Sequence, residues 1–310
     1  MDFRTIVQLP NNAPNINHKD SWLLLGSCFA QNIAKKASFY GFESLYPFGA
    51  LYNPISIIKS LNMLKDNVRL TDADLFLERE QWNSYNFHSD YSDIDKNVAL
   101  SKMNECLDKA HKILESAKII IITFGTAYIY QNNYTGEIVA NCHHSVMSKF
   151  TRKLLTADEI VLSYQDILNK YSEKQFIFTV SPIRHLKDGA HANQISKSTL
   201  LLAIDNICNT YKNCHYFPSY EIVLDELRDY RFYSDDMIHP SKTTVDYIWE
   251  RFSETYFNKE TQNLNKQIEE IRLEEMHRPI LPDSISHKQR IAILKQKKDE
   301  LIQKFPYIHW

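Results

Sequence analysis

The sequence predicts a doubly wound α/β fold with a five-stranded parallel sheet. Short apolar runs alternate with helical patterns along most of the 310 residues, which is typical of parallel strands joined by crossover helices. The run over residues 118–124 is rich in isoleucine, as expected for a central strand covered on both faces. Helix-start signals follow several of these runs and support the same architecture.

Each predicted strand is a short apolar run bounded by turn residues or by the start of a helical pattern. The predicted strands cover residues 22–26, 42–46, 118–124, 175–181 and 214–217. The first ends in Gly26-Ser27, where helical spacing begins, and Gly41 ends the helix before the second. Residues 128–139 add a hairpin that turns around Asn132-Asn133.

The helices are predicted from apolar spacing and from capping residues. They cover residues 31–40, 54–64, 98–117, 156–171, 194–211 and 241–252. Asn53 caps the second helix, which has Pro54 in its first position. Thr156 and Glu159 form a capping box, and Pro240 suits the first position of the last helix.

Two stretches depart from this alternation. Residues 68–95 lack a clear period and are rich in aromatic side chains, so we interpret them as an insertion folded over the sheet edge. After Phe257, two narrow apolar stripes interrupted by Pro279 and Pro282 predict a C-terminal helical hairpin over residues 258–310. We therefore expect a main domain over residues 1–257, with a hairpin that packs on it or forms a homodimer.

Composition favours a cytoplasmic enzyme. The net charge of −2 provides no overall field that would recruit nucleic acid or an anionic membrane. The start of the chain lacks the apolar core of a signal peptide, and no stretch could span a bilayer. Five cysteines without a Cys-x-x-Cys pair indicate reduced thiols rather than a disulfide framework.

Ser27 is the predicted nucleophile. It stands at the carboxyl end of a parallel strand and the amino end of a helix, where ligands and nucleophiles are common and free N–H groups can stabilise an oxyanion. We expect its hydroxyl to be accessible. Ser27 could instead be only a helix N-cap, and Cys28 could be the nucleophile, since a thiol near a helix start has a lowered pKa. Free cysteine is more often a small buried residue, so we expect Cys28 in the core.

Asp236 and His239 are the predicted partners of this nucleophile. A spacing of three residues lets one turn hold the carboxylate against an imidazole nitrogen. Such a carboxylate fixes the tautomer and favours the imidazolium that forms when the histidine takes a proton from a serine. The alternative is a capping aspartate beside a solvent-exposed histidine.

The segment Gly26-Ser27-Cys28-Phe29-Ala30 is, letter for letter, the signature of the GSCFA-domain family, which the chain resembles over residues 20–255. Further matching segments are Pro47-Phe48-Gly49, Asn53-Pro54, Phe124-Gly125-Thr126-Ala127, Asn141-Cys142-His143, Ser181-Pro182-Ile183-Arg184-His185 and Asp236-Met237-Ile238-His239-Pro240. The family looks like a branch of the SGNH (GDSL-like) hydrolases, which are Ser-His-Asp esterases on a flavodoxin-like three-layer sandwich. The resemblance thus implies a serine hydrolase that acts on an ester without a cofactor.

The resemblance also implies an oxyanion hole with one donor missing. In SGNH enzymes a glycine N–H and an asparagine amide hold the oxyanion, and Gly49 matches the glycine. Ala127 stands in the asparagine position, so an active enzyme needs another donor, because losing one can cost about 10²–10³ in rate. Asn141 is our first candidate, since the predicted hairpin returns there; the Thr126 hydroxyl and His143 are alternatives.

Further polar residues are candidates for binding the substrate. Arg184 and His185 follow the fourth strand at its carboxyl end and suit an anionic or sugar substrate. His143, and His88 among its aromatic neighbours, could complete the wall of the pocket. Each of these residues could equally be an ordinary surface or satellite-core residue.

Other kinds of site find little support. The polar residues around 141–144 lack a convincing third and fourth metal ligand, so we expect no metal. Only 6 glycines and no phosphate-binding motif argue against a nucleotide site. We expect a small-molecule or carbohydrate ester, such as an O-acetylated sugar, as substrate. The alternatives are an acyltransferase on the same site and a non-catalytic protein that binds a glycan or another ligand.

Overall fold

The computed structural model describes residues 4–278, 280–281 and 284–310. The predicted break at Pro279 and Pro282 lies outside these residues, as does the very start of the predicted main domain. The strands are β1 Trp22–Gly26, β2 Ser44–Leu45, β3 Phe76–Glu78, β4 Gln81–Asn83, β5 Ile119–Phe124, β6 Tyr128–Asn132, β7 Ile138–Val139, β8 Phe150–Leu154, β9 Gln175–Val180 and β10 Cys214–Tyr216. The helices are α1 Cys28–Phe39, α2 Pro54–Lys65, α3 Lys96–Ser116, α4 Ala157–Lys170, α5 Gly189–Thr210, α6 Ser219–Glu221, α7 Lys242–Tyr256, α8 Lys259–Met276 and α9 Ile285–Lys304.

The central sheet has five parallel strands in the order β2–β1–β5–β9–β10. All five were predicted, and the flavodoxin-like order confirms the predicted fold class. The strand order reverses between β1 and β5, and a doubly wound sheet opens a crevice at such a point, outside the carboxyl ends of the strands. Gly26 and Phe124 end these two strands at that crevice.

Helices cover both faces of the sheet, which makes three layers. On one face, α2 to α5 enclose an apolar cluster that includes Phe124, Tyr164 and Phe178. On the other face, α1 and α7 enclose a second cluster around Trp22 and Trp249, whose ring centroids lie 6.3 Å apart. Burial on both sides explains why the central strands are apolar throughout.

The two C-terminal helices pack mainly on each other. Their inner side chains form a separate apolar cluster, which includes Ile268, Leu301 and Ile308. The C-terminal segment contacts the main domain at Gly41, just after α1. An added Cβ on Gly41 would lie 2.6 Å from Cγ2 of Ile308, and the His309 N–H donates to the Gly41 carbonyl. The boundary at residue 257 and the homodimer stay predictions.

Two local features differ from the sequence expectation. Pro240 precedes α7 instead of opening it: Ser241 is the N-cap, and Pro240 pairs with Tyr233 in an isolated bridge. The strand β8 was not predicted, because Thr151, Arg152 and Lys153 leave it without an apolar alternation. It pairs with β6, which also pairs with β7, to form a three-stranded antiparallel sheet. None of the described helices is long and apolar enough to cross a membrane.

Candidate active site

Ser27 is a buried helix cap rather than an exposed nucleophile. Its side chain accepts a hydrogen bond from the Phe29 N–H at 3.3 Å, and the residue is 1% exposed. An N-cap side chain turns back toward the first free N–H groups of its helix, which here directs the hydroxyl inward. The expectation of an accessible Ser27 hydroxyl is therefore wrong.

Cys28, the first residue of α1, is partly buried and faces the cavity. Its Sγ lies 3.7 Å from Nε2 of His239, and both residues line a cavity of about 440 Å³. Successive helical residues differ in direction by about 100°, so the side chain after an inward-facing cap turns toward the crevice. The expectation that Cys28 belongs to the core holds only in part, because the residue is partly buried against the core cluster under α1 and α7 and also lines the cavity.

His239 is held by Asp236, as the spacing predicted. His239 Nδ1 lies 2.6 Å from Asp236 Oδ2, while the N–H groups of Ile238 and His239 both donate to Oδ1 at 2.9 Å. These hydrogen bonds, first of all those from His239, lower the pKa of the Asp236 carboxyl to about 2. The carboxylate is therefore ionised at neutral pH and leaves Nε2 free to face the thiol.

The thiol of Cys28 responds to opposing influences. Burial raises its pKa, whereas the N–H groups of Cys28 and Phe29 and the charge of Lys197 lower it. The negative charge of Asp236 also raises the pKa of the thiol, as burial does. Because burial is the largest of these influences, the thiol needs a base to take its proton when it reacts, and His239 is in contact with it.

Lys197 of α5 is a fully buried lysine beside this site. Its Nζ donates to the carbonyls of Gly125 and Ser181, both at 2.7 Å. These carbonyls follow β5 and β9, so a single ammonium group ties the ends of two neighbouring strands. Burial lowers the pKa of Lys197 to about 7, and the negative charge of the Cys28 thiolate opposes that shift.

Two further buried residues of α5 hold the same loops. Asn193 accepts the His185 N–H at 3.0 Å, and Ser196 accepts the Ala127 N–H at 2.8 Å. With Lys197 they form a polar stripe at helical spacing on the inner face of α5. This stripe was not predicted from the sequence, because the predicted helix begins at residue 194 and leaves out Asn193, although Ser196 and Lys197 are adjacent polar residues within it.

The sequence profile of the GSCFA family matches residues 21–252, which is more than half of the chain. The chain belongs to the GSCFA family. A search of curated proteins finds no match. The matched region contains the Cys28 contact, Asp236 and the α5 stripe, whereas α8 and α9 of this GSCFA protein lie beyond it.

The structure brings two of the three predicted oxyanion residues, Thr126 and Asn141, to the cavity and leaves Gly49 outside it. Gly49 is buried against His88, where an added Cβ would lie 2.3 Å from the His88 Cβ, and it does not line the Cys28 cavity. Thr126 lines the cavity, but its hydroxyl bonds to Ser196 and accepts the Tyr128 N–H. Gly49 is thus not brought to the cavity, and the Thr126 hydroxyl is already engaged.

Asn141 does lie in the cavity wall. Its Oδ1 accepts the His143 N–H at 2.9 Å, and its Nδ2 is 3.5 Å from the Ser89 hydroxyl. The side chain is therefore fixed mainly through its acceptor oxygen, with a long contact at the amide nitrogen. Its role as an oxyanion donor stays a prediction.

The structure brings two of the four predicted substrate-binding residues, Arg184 and His185, to the cavity. The Arg184 guanidinium lies over the rings of Tyr230 and Tyr233, at 5.6 Å from each centroid. It forms no ion pair with another residue in the described part of the chain. Burial and the nearby Lys197 charge lower the pKa of His185 to about 4, so this imidazole is neutral near pH 7.

His143 and His88 lie outside the cavity. His143 is buried, with Nε2 at 2.8 Å from the Ser84 carbonyl, and it positions the loop after β7. His88 packs against Gly49 and lies 3.1 Å from Asp90. Both side chains support the neighbouring chain segments, which corrects the expectation that they bind substrate.

No cluster of three or more histidine, cysteine, aspartate or glutamate side chains suited to a metal ion occurs within residues 4–278, 280–281 and 284–310. The five cysteines are all free thiols. The site therefore consists of a thiol, an imidazole and a carboxylate at the mouth of a cavity lined by aromatic and cationic side chains.

Proposed function

We propose that this GSCFA protein is a thiol-dependent acyl hydrolase that cleaves an ester through Cys28, His239 and Asp236. The observation that carries the proposal is the continuous line of contacts from Cys28 Sγ to His239 Nε2 and from His239 Nδ1 to Asp236 Oδ2, at 3.7 and 2.6 Å. A nucleophile, a base and a group that orients the base form the arrangement that covalent catalysis requires. The proposal keeps the predicted reaction and moves the nucleophile from Ser27 to Cys28.

In the first half of the reaction, Cys28 Sγ attacks the carbonyl carbon of the ester, and the thiol proton passes to His239 Nε2. The tetrahedral intermediate then collapses. The bond between the acyl carbon and the alcohol oxygen breaks, and Nε2 returns its proton to that oxygen. The alcohol leaves, and the acyl group remains on Cys28 as a thioester.

In the second half, a water molecule attacks the thioester while His239 Nε2 takes one of its protons. The carbon–sulfur bond breaks, the proton returns to sulfur, and the carboxylic acid leaves. If a sugar or another alcohol occupies the position of that water, the same steps transfer the acyl group instead of hydrolysing it. Acyl transfer is therefore the alternative outcome of the same chemistry.

The start of α1 supplies one donor for the oxyanion. The first N–H groups of a helix have no partner within it, and the Cys28 N–H stands at the first helical position beside its own thiol. A backbone N–H at the nucleophile is a common oxyanion donor. The helix dipole adds a partial positive charge at the same place.

The cavity wall favours a polar, sugar-like substrate with negative charge. Tyr52, Tyr128 and Tyr130 line it, and flat aromatic side chains of this kind can pack against a sugar ring. Arg152 stacks on Tyr128 at 3.6 Å and pairs with Asp188, whereas Arg184 keeps a guanidinium available to an anion. We therefore place an acylated carbohydrate that carries an anionic group first among the candidate substrates.

The test compares Cys28→Ala and Ser27→Ala on p-nitrophenyl acetate and on a panel of acetylated sugars. We expect Cys28→Ala to abolish turnover and Ser27→Ala to retain it. Cys142→Ala is the matched control, because Cys142 lines the same cavity without a contact to His239. Undiminished turnover in Cys28→Ala would overturn the proposal, and so would saturable binding of the sugars with no turnover of any substrate.

A further inference from the structure

We propose that the side-chain amide of Asn53 is the second oxyanion donor of the Cys28 site, in place of the donor that Ala127 lacks. The inference rests on the proposed function, since such a donor acts only if Cys28 attacks an acyl carbonyl. Asn53 lines the same cavity as Cys28, yet it is only 4% exposed. It is therefore a buried amide at the edge of the site, and three features of its surroundings suit it to this role.

The first feature is its place in the chain. The Leu51 N–H donates to the Gly26 carbonyl at 2.8 Å, so the segment that leads to α2 lies beside the segment that leads to α1. Two residues after each of these positions stand Asn53 and Cys28. The amide and the thiol thus each follow this hydrogen bond by two residues, and both line the cavity.

The second feature is the rigid backbone around Asn53. The carbonyl of Tyr52 accepts the Gly125 N–H at 2.9 Å. An added Cβ on Gly125 would lie 2.9 Å from that carbonyl oxygen and 3.5 Å from the Cβ of Ser27. Gly125 is thus packed between Tyr52 and Ser27. This close packing restricts the backbone of the next residues, Asn53 and Cys28.

The third feature is the orientation of the amide. Asn53 is the N-cap of α2, and its Oδ1 accepts the Ser56 N–H at 2.8 Å. Because the oxygen is held toward the helix, Nδ2 points away from it. Nδ2 has no hydrogen-bond partner in the described part of the chain and is not sealed in the protein interior. A cap thus holds a free N–H₂ group at the cavity before any substrate arrives, as electrostatic preorganisation requires.

Asn141 is the competing amide, and its geometry is less favourable. It lies on the hairpin rather than on the edge of the central sheet, and it is more exposed than Asn53. Its Nδ2 already has a contact with Ser89 at 3.5 Å. We therefore assign the role to Asn53 and include Asn141→Ala in the experiment.

The experiment uses Asn53→Ser and Asn53→Asp, which keep an oxygen that can cap α2 but remove the amide donor. We expect kcat for p-nitrophenyl acetate to fall by about 10²–10³ in Asn53→Ser, with little change in KM. The rate at which iodoacetamide alkylates Cys28 should stay at the wild-type value, because the thiol and its base are intact. Asn258→Ser is the matched control: Asn258 caps α8 in the same way, through the Thr261 N–H at 2.9 Å, and should leave turnover unchanged.

Wild-type turnover in Asn53→Ser would overturn the assignment, and a loss confined to Asn141→Ala would transfer the role to the hairpin. A parallel loss of Cys28 alkylation would also overturn it, since Asn53 would then support the thiol and not the oxyanion. If Asn53→Ser does not fold, Asn53→Asp keeps the cap at nearly unchanged size. Because its negative charge also raises the pKa of the thiol, kcat is then compared at pH values that give equal rates of Cys28 alkylation. Full turnover in Cys28→Ala with a loss in Asn53→Ser would instead reject the proposed function.

Discussion

Cys28 Sγ lies 3.7 Å from His239 Nε2, although 211 residues separate the two in the chain. Cys28 follows β1 at the carboxyl edge of the sheet. The loop that carries His239 is held at the same edge by the Arg184 N–H, which donates to the Ile238 carbonyl at 3.2 Å. Because His239 Nε2 contacts Cys28 Sγ, the group from which the imidazole can take a proton is the Cys28 thiol and not the Ser27 hydroxyl.

Ser27→Ala should reduce stability without abolishing turnover. Removing a serine N-cap costs about 1 kcal/mol of unfolding free energy, while the thiol and its base remain in place. Urea denaturation measures the first effect and ester turnover the second. Ser284→Ala is the control, because Ser284 caps α9 through the His287 N–H and should reproduce a cap loss far from the site. A folded Ser27→Ala protein without turnover would refute the interpretation that Ser27 is a helix cap and not the nucleophile.

Asp236→Asn should lower kcat far more than Asp235→Asn. Only Asp236 bonds to His239 Nδ1, and losing such a carboxylate has cost up to about 10⁴ in a serine protease triad. Asp235 precedes it without a hydrogen bond to the imidazole, so it serves as the control for a lost charge in the same loop. Equal losses of kcat in the two variants would show that general electrostatics, and not orientation of the imidazole, explains the effect.

Lys197→Met should shift the alkylation of Cys28 to higher pH. While Lys197 is protonated, its positive charge favours the thiolate of Cys28, and the substitution removes that influence. Asp236 also acts on the thiol and raises its pKa, while the Lys197 charge also lowers the pKa of His185. The measurement is the rate of iodoacetamide labelling of Cys28 against pH, read by peptide mass.

Lys174→Met is the matched control for that shift. Lys174 is also buried and donates to two carbonyls, those of Glu115 and Ala117, but it lies away from the cavity. We expect its loss to destabilise the fold and to leave the pH profile of Cys28 alkylation in place. The same shift in both variants would indicate a general loosening of the structure.

Stability should fall as the pH drops from about 6.5 to about 4. His18 is buried and His185 is half-buried, and burial lowers the pKa of each from 6.5 to about 4. Between these values the unfolded chain binds more protons than the native protein, so the free energy of unfolding decreases with falling pH. Urea denaturation across this range checks the sign. His18→Gln and His185→Gln should each flatten the dependence, and an unchanged slope in both would contradict the assignment.

Much of the fold could be predicted from the sequence because local signals agree with tertiary burial. Apolar runs marked all five parallel strands, and Asn53 and Thr156 were identified as helix caps that the structure confirms. The edge strand β8 was missed because its side chains are mostly polar and exposed. An edge strand gains its stability from backbone pairing, which leaves little trace in the pattern of side chains.

The prediction of the nucleophile failed at the start of α1. A helix expected from Gln31 leaves Ser27 in an open turn, but α1 begins at Cys28 and turns Ser27 into its cap. Because α1 begins three residues earlier than predicted, Ser27 faces the protein interior and Cys28 faces the cavity. Element boundaries depend on cap geometry, which the sequence specifies less sharply than burial. The contact between Asp236 and His239 was found because it is local.

The most direct test of the account is the position of the acyl group in a trapped intermediate. The protein is mixed with p-nitrophenyl acetate, quenched in acid and digested, and the peptide that contains Ser27 and Cys28 is fragmented by mass spectrometry. We predict an acetyl group on Cys28 that is absent in Cys28→Ala and that accumulates when Asp236→Asn slows its release. An acetyl group on Ser27, with Cys28 unmodified, would contradict it.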